Sequence, residues 1–97
     1  QLPVVPTHCE SAFHNFWLLL PDEATRDRAI IRLREAGILA VFHYLPLHLS
    51  AMGRRYGGRE GQCPVTESIA PRLVRLPFYN GLSAAEQTCV LEIVTGL

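Results

Sequence analysis

The stretch from Leu33 to His48, LREAGILAVFHYLPLH, constrains the fold more than any other part of the chain. It reads as the end of a helix, a tight stop, a buried strand and then a short polar burst. Gly37 stands where a helix C-cap requires a left-handed backbone. Ile38 to Phe42 is a continuous apolar run of strand length. Beyond it come His43, Tyr44 and His48, interrupted by Pro46. Hydrogen-bonding and titratable groups at the end of a strand, on a proline-stiffened turn, are where α/β proteins tend to keep ligand contacts. A second reading makes His43 and Tyr44 a polar cap on a sheet edge, and periodicity by itself leans that way.

Punctuation orders the rest. Residues 1–12 hold two prolines and no period, which suggests an extended arm or linker; residues 13–97 form the domain proper. Phe13 to Leu20 is aromatic and aliphatic throughout, as in a buried strand, and Pro21 ends it. Thr25, or Asp22 before it, can cap a helix whose Ala29, Ile30, Leu33 and Ala36 share one face. Arg26, Arg28, Arg32, Arg34 and Glu35 would form its solvated side, although an arginine run can also bind phosphate. Ser50 to Tyr56 suits a short helix, and Gly57, Gly58 and Gly61 a mobile loop. Arg54, Arg55 and Arg59 on that segment could grip a diphosphate by bidentate hydrogen bonds or simply be solvated.

Pro64 fits the first turn of a further helix running to about Leu73, with Pro71 kinking or ending it. Val74 to Phe78 reads as a short strand which Pro77 confines to a sheet edge or end. Asn80-Gly81 is a turn, and Ser83-Ala84-Ala85-Glu86 a capping box opening the last helix. The expected fold is α+β: a small, mainly antiparallel three-stranded sheet with packed helices. A helix joining the first two strands also permits a parallel pair.

Composition excludes several classes. The 97 residues make one domain,. From size scaling, a chain of this mass should keep roughly 5,500 Å² exposed of about 15,700 Å² when extended, a modest core. Nine basic residues balance nine acidic ones, so there is no electrostatic footprint for nucleic acid or anionic lipid,. The apolar runs are too short for a membrane span. Cys9, Cys63 and Cys89, odd in number and widely spaced, argue against a disulfide framework and for a reducing, cytoplasmic setting,. Cys63 would sit at a helix start and Cys89 would face the core. No CxxC or HxxxH spacing supports a metal site.

HYLPLH after LREAGI, with RRYGG, the lead-in LPVVP, the strand from His14 to Leu20, and RLPFYNGLS from Arg75 to Ser83, resembles the C-terminal part of the DegT/DnrJ/EryC1/StrS sugar-nucleotide aminotransferases. The wording AVFHYLPLH is closest to the dTDP-4-amino-4,6-dideoxygalactose transaminase branch, which acts in surface polysaccharide synthesis. The resemblance implies the small C-terminal domain of a fold-type I enzyme that uses pyridoxal phosphate and dimerises. It implies amino transfer from glutamate to C4 of a dTDP-4-keto-6-deoxyhexose. By position in the motif, His43 and Tyr44 would line the sugar-nucleotide side with His48 in support, and His14 would match a histidine at the start of the first strand. None is assigned as a catalytic acid or base.

All nine basic residues are arginine, and there is no lysine. Pyridoxal phosphate chemistry needs a lysine amine for its Schiff base. The chain is therefore expected to hold no cofactor covalently, to be inactive alone, and to rely on a large domain of the same parent chain. Such a domain should expose apolar surface at Leu2, Val4 and Val5, along Leu45 to Leu49, and around Leu91 and Val94. The rival is a free-standing small-molecule-binding or regulatory module, with His43, Tyr44 and His48 as its effector site.

Overall fold

The computed structural model describes residues 1–96 of the chain. In chain order it has β1 (Phe16–Leu19), α1 (Glu23–Glu35), β2 (Val41–Phe42), α2 (Ala51–Arg55), α3 (Pro64–Ile69), β3 (Leu73–Leu76) and α4 (Ala84–Thr95), with short 3-10 turns at Leu47–Leu49 and Ala70–Arg72. The sheet order is β1-β3-β2, and both neighbouring pairs are antiparallel. β1 and β2 thus run in the same direction, but β3 lies between them. The expected α+β class with a three-stranded antiparallel sheet is what forms.

The local signals explain the elements. Asp22, rather than Thr25, caps α1: its carboxylate accepts from the Thr25 amide at 2.7 Å. At the other end Gly37 takes φ +75°, the Ile38 amide donates to the Leu33 carbonyl, and the Gly37 amide donates to that of Arg34. That pairing is a Schellman closure, and it places Ile38 back against Leu33 in the core,. Ser83 and Glu86 form both halves of the expected capping box on α4. The helix opened by Pro64 tightens at Ala70 into a 3-10 turn holding Pro71, which has no amide to continue an α ladder,.

Register fixes the two faces. Leu18, Val74 and Phe42 stand opposite one another across the three strands, as do Trp17, Arg75 and Val41. Since side chains alternate, these rows point to opposite sides. The first row faces α1 and α4: Leu18, Leu33, Ala40, Val74 and Val90 form the core, with Ile93 and Val94 packed on it. The second row lies on the other face.

Several expectations need correction. The first strand begins at Phe16; Phe13 has φ +44° and is exposed, so that end of the run lies outside the ladder. Only Val41 and Phe42 of the second run pair with a neighbour, while Ala40 is buried without ladder bonds. The strand before Pro77 is central, so of the two expected placements the edge fails and the end holds. It ends at Leu76, so Leu73–Leu76 keep amides for both neighbours and the proline falls beyond them. Arg26 is buried rather than solvated: its guanidinium lies 5.6 Å from the centre of the Phe42 ring, with Glu23 and Asp27 at 3.0 and 2.8 Å. Cys89 is exposed, as α4 turns Val90 inward instead.

The arm, residues 1–12, is almost wholly exposed, but Gln1 exchanges two backbone hydrogen bonds with Leu19 at the outer edge of β1. The chain exposes 7121 Å², well above the roughly 5,500 Å² that size scaling gives a free domain. Leu2, Val4, Leu45, Leu47 and Leu91 are each more than half exposed, in the segments where apolar surface was expected, whereas Val94, expected on the outer side of α4, packs on the core.

Candidate functional site

The last ladder pair of β2 joins Phe42 to Val74, and His43 and Tyr44 come immediately after it. Their rings stack with centroids 4.1 Å apart and planes 24° from parallel. Arg75, in the middle of β3, donates from Nη1 to the Tyr44 phenol oxygen at 2.8 Å. Burial lowers the His43 pKa from its ordinary value, and the Arg75 and His14 charges lower it further. A neutral imidazole at physiological pH is the outcome. His43 Nδ1 is buried with no hydrogen-bond partner, an unusual state for such an atom. His14, exposed, has its Nε2 2.7 Å from the Asn15 side-chain nitrogen. The structure thus gathers His43 and Tyr44, just past the end of β2, with Arg75 of the central strand, and His14, ahead of β1, is near enough for its charge to act on His43.

Tyr44 separates two open clefts. One, about 350 Å³, is lined by His43, Tyr44, Pro46, Val65 and Ile69. The other, about 380 Å³, is lined by Glu23, Arg26, Asp27, Phe42, Tyr44 and Pro71. Tyr44 is 56 % exposed, so its ring is reachable from both. The cluster can offer a phenol, a neutral imidazole and a guanidinium to a polar ligand.

His48 does not join this group. Its Nε2 lies 2.8 Å from Glu67 Oε1 on α3. The same carboxylate accepts from the amides of Gly61 and Cys63. The glycine-rich loop, expected to be mobile, is therefore bonded down. Arg59 and Gln62 close it further, and the Gly58 amide donates to the Gly53 carbonyl. Arg54 donates from Nε to the Leu49 carbonyl and lies 3.6 Å from Glu60, while Arg55 is exposed at the end of α2. No hydrogen bond or ion pair joins His48, Arg54 or Arg55 to His43 or Tyr44 among the described residues.

The Gly61 amide, then the His48 ring and the Cys63 amide, hold the Glu67 carboxyl below the usual glutamate range. A depressed carboxylate stabilises the fold above its unfolded pKa, and the contribution is lost as pH falls through the folded value. The Gly61 and Cys63 amide resonances should therefore titrate together, with a midpoint below that of a free glutamate. A midpoint at the ordinary glutamate value would show that the loop is not held this way.

Sequence reasoning missed Arg75. The signal was present: an arginine between Val74 and Leu76 in an apolar strand is half-buried for a reason,. Among the described residues there is no group of His, Cys, Asp and Glu able to hold a metal ion. None of their helices is long and apolar enough to cross a membrane.

Comparison with known proteins gives concordant matches. The DegT/DnrJ/EryC1/StrS aminotransferase family profile matches residues 1–95. The chain is 33 % identical over 93 residues to a pleiotropic regulatory protein of Geobacillus stearothermophilus, covering 95 % of this chain and 25 % of the relative. It is 31 % identical to a dTDP-3-amino-3,4,6-trideoxy-alpha-D-glucose transaminase of Micromonospora megalomicea, covering 100 % of this chain and 27 % of that one. A crystal structure of a DegT/DnrJ/EryC1/StrS aminotransferase from Brucella abortus superimposes with a TM-score of 0.82 at 30 % identity, covering 99 % of this chain and 25 % of that one. The chain thus spans about a quarter of the length of the curated relatives it matches.

Proposed function

This chain belongs to the DegT/DnrJ/EryC1/StrS aminotransferase family, and from that premise we propose that it serves as the small C-terminal domain of a sugar-nucleotide transaminase, completing a substrate cleft with a large domain of the same parent. Residues 1–12 would be the arm and residues 13–97 the domain. The observation that carries this reading is the Tyr44, His43 and Arg75 cluster. These polar groups stand where β2 ends against the central strand, beside open clefts, and His43 Nδ1 has no partner among the described residues. The exposed area in excess of a free domain's supports a covering partner,.

The proposed reaction moves an amino group from glutamate to C4 of a dTDP-4-keto-6-deoxyhexose, as in the dTDP-4-amino-4,6-dideoxygalactose branch, in a cytoplasmic homodimer. Pyridoxal phosphate, when bound in the parent, supplies the electron sink for amino transfer. The residues of this chain do not fit the anchoring site of that cofactor: there is no lysine to bond it. This chain's part is binding and orientation. Tyr44 and His43 face the sugar nucleotide, and His14 stands near His43. His48 acts through Glu67 on the loop after α2, and Arg54 and Arg55 border that loop on the way to the nucleotide.

The test is His43→Ala in the full parent enzyme. The expected result is a fall in kcat/KM of about tenfold or more, the loss of one good polar contact, with the melting temperature nearly unchanged. Unchanged kinetics, or a loss confined to stability, would leave His43 as a polar cap on the sheet and remove the reading's main support.

A further inference from the structure

We propose that Arg75 is a positioning residue of this site, fixing the Tyr44 ring and the direction in which its hydroxyl donates; the proposal rests on the reading that Tyr44 faces the substrate. Tyr44 lies two residues past the last ladder pair of β2, so backbone pairing does not hold it. It is more than half exposed, and its one side-chain hydrogen bond among the described residues is with Arg75, across 31 residues of sequence. Arg75 is well placed to act as a post. It sits on the central strand, opposite Trp17 on one side and Val41 on the other. No carboxylate among the described residues forms an ion pair with it.

The bond has a polarity. A guanidinium only donates, so the phenol oxygen must accept from Arg75. The Tyr44 hydrogen is then directed away from Arg75 and is free to donate to an acceptor on the ligand, such as a phosphoryl, carbonyl or hydroxyl oxygen. Charge on the donor makes this a strong, well-oriented bond. Stacking transmits the same constraint to His43. The titratable and charged groups facing His43 are Arg75 on β3, His14 ahead of β1 and Tyr44 beside it. From α3 the neighbours lining the same cleft are Val65, Thr66 and Ile69, none of which titrates.

The experiment uses the full parent enzyme with Arg75→Met, Arg75→Lys, Tyr44→Phe and the Arg75→Met/Tyr44→Phe double variant. Kinetics are measured with the dTDP-4-keto-6-deoxyhexose, and the His43 resonance is titrated without ligand. Arg75→Met should raise KM about tenfold with a smaller change in kcat, as expected for a lost charge-assisted hydrogen bond. Adding Tyr44→Phe should make it little worse, because both changes break one interaction. Arg75→Lys, which can still donate to the phenol, should recover part of the loss. The His43 midpoint should rise in Arg75→Met and stay near wild type in Arg75→Lys. Additive losses in the double variant, or an unmoved His43 midpoint, overturn the proposal. Ligand-free spectra separate this failure from that of the functional reading: Tyr44 ring resonances that shift in Arg75→Met but not in Arg75→Lys, with unaltered KM, would retain the post and reject Tyr44 as a substrate contact.

Discussion

Leu33→Ala is expected to destabilise the chain by about 3 kcal/mol, within the range of roughly 2–5 kcal/mol for a fully buried leucine cut to alanine. Leu33 has no exposed surface at all and belongs to the cluster with Leu18, Ala40, Val74 and Val90. It also occupies the third position from the end of α1, where its carbonyl accepts the Ile38 amide in the closing turn. Truncation therefore opens a cavity between helix and sheet and also removes the side chain against which Ile38 folds back. A domain of this size has a total stability of only about 5–15 kcal/mol, so the midpoint of urea unfolding should move far toward lower denaturant. The exposed Leu91 on α4 provides the contrast. A Leu91→Ala shift as large as that of Leu33→Ala would contradict this placement of the core.

The helix ends were legible because each is written in a few adjacent residues. Asp22, Gly37 and the Ser83–Glu86 pair each act within one turn, and the structure uses all of them. Strand position was not legible, because it depends on partners distant in sequence. Leu73–Leu76 looked peripheral on account of Pro77, yet it became the centre once β1 and β2 paired on its two sides. Arg26 shows the same limit: its helical position reads as solvated, but it is buried in the fold, with its guanidinium near the Phe42 ring of β2. At the site, His43 and Tyr44 stood out as polar residues ending an apolar run. Arg75, 31 residues further on, could be joined to Tyr44 only through the strand register and the hydrogen bond across it. His48 was grouped with His43 by closeness in sequence, but the turn at Leu47–Leu49 directs it to Glu67 instead.

The second large effect concerns two glycines near His48. Gly53 lies inside α2, where helix propensity alone makes alanine better by about 0.8–1 kcal/mol,. Gly53→Ala is nonetheless expected to destabilise the chain. A Cβ there would overlap the Leu47 carbonyl oxygen and come within 2.8 Å of the His48 backbone. Gly58→Ala meets the same obstacle from the other side, overlapping the His48 carbonyl oxygen and approaching the Gly53 carbonyl at 2.9 Å. Neither glycine has the left-handed φ found at Gly57, so conformation is not what excludes alanine; backbone contact is. Backbone atoms cannot turn aside as a flexible side chain can, so α2 must move off the turn. The expected cost is about 3 kcal/mol, the upper part of the usual range for overpacking. The movement should also lengthen the His48–Glu67 contact and release the Gly61 and Cys63 amides that share that carboxylate. Urea unfolding of the two variants, with hydrogen exchange at Gly61 and Cys63, tests both consequences. A stabilised Gly53→Ala variant with protection intact would mean that propensity outweighs contact and that the turn does not press on α2.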